Sequence, residues 1–230
     1  MHAFSLVRGG PERRRDGQEQ NGYMTTLFLA RHGETVWHAE HRYAGIADVE
    51  LTETGYRQAE SLALWAADAR LDAVYSSTLS RAVLTAEPSA RALGEIVETD
   101  PDLCEVAFGV GEGRTLDELR PEHADAVDAF VARPAEAVLP GGERGLDGIA
   151  RYLRAFDRIE AAFPDGRVLV SCHGTALRLT LCSLLGIEPN RYRELMPAVQ
   201  NCSVTTIEYT KGRARLYAFN VPADSAAHRY

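Results

Sequence analysis

Three short apolar runs in this chain are each too brief for a helix, and each breaks off into polar residues. Residues 26–30 run into Arg31-His32-Gly33-Glu34, residues 73–77 into Thr78-Leu79-Ser80-Arg81, and residues 168–172 into His173-Gly174-Thr175. Apolar runs of this length, bounded by charge and glycine, read as parallel strands buried on both faces. Ligands of open α/β sheets bind beyond the carboxyl ends of such strands. Two histidines and two arginines thus fall at three strand ends, where Gly33 lets the backbone turn sharply toward a ligand.

Helical periodicity fills the spaces between the strands. Thr52 reads as the N-cap of a helix with Ala59, Leu62, Ala63 and Ala66 on one face. Residues 81–93 read as a helix closing at Gly94, and residues 143–163 as a long one carrying Ile149, Leu153, Phe156 and Ile159. A helix follows His173 through Leu185, and residues 203–209 and 215–219 read as strands joined around Lys211-Gly212. An insertion over about residues 106–142 reads as a substrate lid, with short helices near residues 116–119 and 122–130. At 230 residues the chain can bury a sizeable core in one domain, here residues 24–230, without a linker or an internal repeat. Residues 1–23 read as a polar, disordered extension, and deletion to Met24 is expected to leave kcat intact.

A pocket holding Arg31, Arg81, His32 and His173, close to helix N-termini, favours a phosphate dianion. Arginine suits such a pocket because its planar fork grips phosphoryl oxygens two at a time. The net charge of -8 and the lack of a basic run argue against nucleic acid as a partner. No stretch approaches the ~18–20 apolar residues that span a membrane. Cys104, Cys172, Cys182 and Cys202 are scattered, as in a protein of the reducing cytoplasm.

The residues that carry this chemistry keep the order of a known family. They are Arg31-His32-Gly33-Glu34-Thr35; Arg42-Tyr43-Ala44-Gly45 through Leu51-Thr52-Glu53-Thr54-Gly55; Ser77-Thr78-Leu79-Ser80-Arg81-Ala82; Leu103-Cys104-Glu105-Val106-Ala107-Phe108-Gly109; and His173-Gly174. On these motifs the chain resembles the histidine phosphatase superfamily, also called the phosphoglycerate mutase-like family, over roughly residues 26–209. The resemblance implies an α/β three-layer sandwich with a mostly parallel central sheet flanked by helices. It also implies that His32 accepts the phosphoryl group as a phosphohistidine, that Arg31, Arg81 and His173 hold its oxygens, and that Glu105 is the general acid and base. His38, Ala44, Gly45 and Gly174 would line the substrate, with no metal or other cofactor required.

Adjacent guanidinium groups should keep His32 neutral and nucleophilic, and fixed positive charge suits a metaphosphate-like transition state. Glu105 must carry a proton when the leaving group departs, which burial beside a phosphate dianion favours. One position departs from the family, which usually has asparagine where this chain has His38. His38 is expected to hydrogen-bond the phosphoryl group and to gain charge below roughly pH 6.5. The span from Glu105 to His173 looks shorter than in the cofactor-dependent mutases, which favours phosphatase over mutase action. The expected substrate is a small phosphomonoester, a phosphorylated metabolite whose leaving group could meet Arg114 or Arg133, and the protein is expected to be a monomer or homodimer. Alternatives are a mutase-type phosphotransferase, a non-catalytic phosphate-binding regulatory protein, or a metallohydrolase using His32, His38, His41 and His173.

Overall fold

The three apolar runs form the middle of a six-stranded sheet. The structure is a computed structural model and describes residues 24–224, so the expected N-terminal extension lies outside the described residues. The strands are β1 (Thr25–Arg31), β2 (Ala73–Ser76), β3 (Val97–Thr99), β4 (Arg167–Cys172), β5 (Ser203–Thr210) and β6 (Arg213–Pro222). Their spatial order is β3-β2-β4-β1-β5-β6. The first four run parallel, β5 runs antiparallel to β1, and β6 turns back antiparallel to β5. The pair β5–β6 is the expected hairpin, turned at Lys211 and Gly212, both at positive φ. The edge strand β3 was not expected, because its three residues are partly or fully exposed and leave no apolar pattern to read.

Because β1 and β4 are covered on both faces, their residues alternate between two cores while staying apolar throughout. Leu27, Leu29, Val168 and Val170 face one core, which holds α4 (Gly145–Ala162), α5 (Gly174–Leu184) and the lid. Phe28, Ala30 and Leu169 face the other, with residues of α1 (Glu53–Asp68) and α2 (Ser80–Leu93). The Thr52 hydroxyl accepts the Gly55 amide at the start of α1, the expected cap. Gly94 closes α2 at φ 73°, a left-handed conformation that glycine takes without a Cβ clash. In the lid, the two expected helices form one segment, α3 (Leu116–Ala132), broken by non-helical dihedrals at His123, two residues after Pro121. A short helix α6 (Tyr192–Leu195) lies between α5 and β5.

The neighbouring parallel strands β1 and β4 send their following helices to opposite faces, α1 to one core and α5 to the other. Between such strands the connections diverge and leave a crevice at the carboxyl ends. His32 and His173 each directly follow one of these two strands.

Candidate active site

His32 continues the β1 ladder by one residue, its amide donating to the Cys172 carbonyl. Its ring Nδ1 lies 2.8 Å from the Gly33 carbonyl, which can only accept, so Nδ1 carries the hydrogen. Burial first, then Arg81 and Arg31, hold the His32 pKa well below 6.5. The neutral ring therefore presents Nε2 with a free lone pair.

The His32 and His173 rings stand with centroids 5.2 Å apart. The Ser77 hydroxyl, directly after β2, lies 2.7 Å from His173 Nε2 and accepts the Leu79 amide, so its own hydrogen is free to go to Nε2. His173 is also held neutral by burial and Arg81, and its hydrogen then sits on Nδ1, a buried atom without a partner. Ser77 orients this donor, a function that the residue's place in a motif did not reveal.

The two arginines share a design. Arg81 is fully buried and gives Nη1 to the Ala47 carbonyl and Nη2 to those of Ala44 and Gly45, leaving Nε buried and unbonded. Arg31 gives Nη1 to the Val199 carbonyl and Nη2 to His38, and again Nε is buried and unbonded. Burial lowers Arg31 to about 10, so it stays charged at neutral pH.

Glu105 is buried at the start of α5. Its Oε1 accepts the Ala176 and Val106 amides and its Oε2 accepts the Thr175 amide. Arg151 of α4 fixes the segment that carries it, donating to the carbonyls of Asp102, Cys104 and Glu105 and pairing with Glu143 at 2.7 Å. Sequence reasoning missed Arg151, as it missed Glu112. The Glu112 carboxylate accepts the amides of Gly45, Ile46, Ala47 and Phe108, so residues 44–47 are held between Glu112 on their N–H side and Arg81 on their C=O side. A Cβ at Gly45 would collide with that carboxylate.

His38 corrects an expectation. Its Nδ1 lies 2.9 Å from the Thr35 amide and its Nε2 faces Arg31 and Asn201. Burial and Arg31 lower it to about 4, so it gains no charge near pH 6.5. The structure also engages the two lid arginines elsewhere: Arg114 binds Glu122 and the Glu118 carbonyl, and Arg133 is an exposed neighbour of Glu136. Gly174 lies beside Arg31, where a Cβ would stand 3.3 Å from Nε. The amide of Gly45 is taken by Glu112, and the Ala44 carbonyl by Arg81. Among the described residues no group of three His, Cys, Asp or Glu side chains is arranged to hold a metal ion.

The crevice thus brings together parallel strand ends, two histidines and two arginines that have no carboxylate partner among the described residues. The family model of the histidine phosphatase superfamily (branch 1) matches residues 27–222, and the chain belongs to that family. It is 34% identical over 186 residues to a probable phosphoglycerate mutase GpmB of Erwinia tasmaniensis, covering 81% of this chain and 86% of that one. Among solved structures, Bacillus stearothermophilus YhfR is similar at a TM-score of 0.80 and 32% identity, covering 86% of this chain and 97% of that one. A mycobacterial glucosyl-3-phosphoglycerate phosphatase in complex with VO3 is similar at 0.76 and 26%, covering 86% and 99%.

Proposed function

We propose that the protein is a phosphomonoesterase that works through a phosphohistidine on His32. One observation carries this reading: on the three residues nearest in charge or ring contact to His32, the donors Arg31 Nε, Arg81 Nε and His173 Nδ1 are buried with no partner among the described residues. Leaving a buried donor unpaired costs about 1–3 kcal/mol, more when it is charged, and a phosphoryl group would satisfy all three.

In the first half-reaction His32 Nε2 attacks phosphorus, the bond from phosphorus to the ester oxygen breaks, and Glu105 gives its proton to that oxygen. Glu105 Oε2 accepts one amide, so it has room for this proton. In the second, Glu105 takes a proton from water as the water oxygen attacks the phosphohistidine, and phosphate leaves with His32 restored. The arginines keep their terminal nitrogens tied to backbone or His38, so little reorganisation is needed as charge moves. The relatives include a named phosphatase, which supports hydrolysis. The name of the Erwinia relative favours the second reading, phosphoryl transfer between hydroxyls.

The substrate is a small phosphorylated metabolite. We place the protein in the cytoplasm on its four unpaired cysteines; no helix among the described residues is long and apolar enough to cross a membrane. The test is phosphate release from a panel of phosphomonoesters in excess chelator, with acid-labile phosphoprotein measured in parallel. Turnover and labelling should both vanish in His32→Ala. Turnover that survives this change would overturn the nucleophile, and transfer to an added alcohol without phosphate release would favour the mutase reading.

A further inference from the structure

Glu105 sits on a stretch with little regular structure of its own, between single turns at Pro101–Leu103 and Gly109–Gly111. Irregular segments of this kind are ordinarily among the more mobile parts of an enzyme. A general acid cannot be, because it must come within about 2.6–3.2 Å of the oxygen that takes its proton. The Glu105 carboxylate also lies in the field of Arg31 and Arg81, the two arginines of the phosphoryl site.

Two adjacent residues of α4 supply the missing order. Arg151 gives Nη1 to the Asp102 and Cys104 carbonyls at 2.9 and 2.6 Å and Nη2 to the Glu105 carbonyl at 2.9 Å, and the Tyr152 hydroxyl donates to the Leu103 carbonyl at 2.8 Å. Four consecutive carbonyls, those of residues 102–105, are thus bonded by two neighbouring side chains. Tyr152 is fully buried, and the Arg151 side chain is only 12% exposed.

Arg151 is itself fixed. Glu143 accepts from its Nε at 2.7 Å and from its Nη2 at 2.8 Å, a fork that sets the plane of the guanidinium. The Glu143 amide donates to the Ala107 carbonyl and its carboxylate accepts the Ala107 amide, so the grip continues past Glu105 on the lid side. Arg154 and Arg158 reach the same stretch only at the Asp100 and Asp102 carboxylates and are more than half exposed, where an ion pair contributes little. Glu105 is therefore held by two helices, its carboxylate on the amides of α5 and its backbone on side chains of α4. Neither anchor alone fixes Oε2: the α5 amides let the carboxylate tilt about them, and the α4 grip leaves the side-chain torsions free.

We infer that Arg151 and Tyr152 are positioning residues for proton delivery by Glu105, acting on departure of the leaving group and not on capture of the phosphoryl group. This rests on the phosphomonoesterase reading, which makes Glu105 the general acid. Their effect then scales with how much the leaving oxygen needs a proton: a weakly basic oxygen departs without one, and a more basic oxygen does not.

The test compares phenyl phosphate with p-nitrophenyl phosphate, which have nearly the same shape. Phenol has a pKa of about 10, as tyrosine does, and p-nitrophenol is a much stronger acid. The readout is kcat/KM, which ends at the first phosphoryl transfer. In Arg151→Lys, which keeps the charge facing Glu143 but loses the fork, kcat/KM for phenyl phosphate should fall by about ten- to a hundredfold, the scale of a small misplacement. For p-nitrophenyl phosphate it should fall several times less. Tyr152→Phe, which loses only the hydroxyl, should show the same discrimination in smaller measure, and Glu105→Gln in larger measure. Tyr152→Phe keeps the core filled, so it decides the matter should Arg151→Lys fail to fold. Equal losses of both esters in Arg151→Lys and Tyr152→Phe, or no loss, would overturn the positioning role while discrimination in Glu105→Gln upholds the acid. Equal losses in Glu105→Gln would defeat the general acid, and a wild type that turns over neither ester would defeat the phosphatase reading; either result takes the positioning role with it.

Discussion

At the scale of single residues, His38 shows how a substitution within a motif changes its chemistry. An asparagine amide and a neutral imidazole each offer a donor and an acceptor, and since Arg31 can only donate, His38 Nε2 accepts from it and Nδ1 carries the hydrogen, 2.9 Å from the Thr35 hydroxyl. Its work is to steady Arg31. In His38→Asn, the amide oxygen can take the Arg31 hydrogen bond, so kcat/KM at pH 7 should stay within a few-fold of wild type. The acid limb of the pH–rate profile that reflects His38, centred near its value of about 4, should disappear. An unaltered acid limb in a pH series of kcat/KM would show that this histidine does not govern it.

Elements matter through the backbone they hold. The stretch 44–47 is pinned by a buried arginine on its carbonyls and a carboxylate on its amides, joining residues that lie far apart in sequence. Glu112→Ala should free those amides, loosen Arg81, and weaken inhibition by inorganic phosphate by about ten- to hundredfold, the scale of a lost charge-assisted contact. Glu112→Gln keeps the shape and one acceptor, so it should recover part of the loss. Equal phosphate inhibition in wild type and Glu112→Ala would separate Glu112 from the phosphoryl site. The start of α1 offers a contrast in stability alone. Thr52→Ala removes the Gly55 cap and the hydroxyl's bond to Glu34, and should cost about 1 kcal/mol in urea unfolding.

For the whole molecule, the crevice between β1 and β4 gathers three histidines that burial and nearby arginines hold neutral. The folded-state values of His32 and His173 lie well below 6.5 and that of His38 is about 4. Unfolded, these rings take up protons as pH drops through about 6.5, while the folded chain refuses them until far lower. Their contribution to stability is therefore complete above about pH 6.5 and is lost as pH falls toward 4. Unfolding free energies measured between pH 7 and 5 should fall with acid, and His38→Asn should reduce the slope by about one proton. Phosphate should do the reverse. At a concentration 100 times its Kd it should add about 2.7 kcal/mol to stability, and Arg81→Ala should remove this gain in thermal denaturation.

How much could be read in advance follows the range of the forces involved. Local patterns carried the strands ending at Arg31, Ser76 and Cys172, the Thr52 cap and the Gly94 stop, because apolar alternation, capping and left-handed glycine act within a few residues. They missed β3, whose exposed residues are strand only because β2 lies beside them. His32, Arg81 and His173 were legible as a set from their places at strand ends, but Ser77's hold on His173, the clamp of Arg151 on the Glu105 segment, and Glu112 were not. The sequence by itself determined the family and the buried strands, since those follow from residue type and short spacing. Only the tertiary structure decided that His38 stays neutral beside Arg31, that Arg114 and Arg133 meet Glu122 and Glu136, and that Ser77, Arg151 and Glu112 reach the site residues. Burial and charge pairing depend on what the fold brings together across tens of residues, and no local pattern records them.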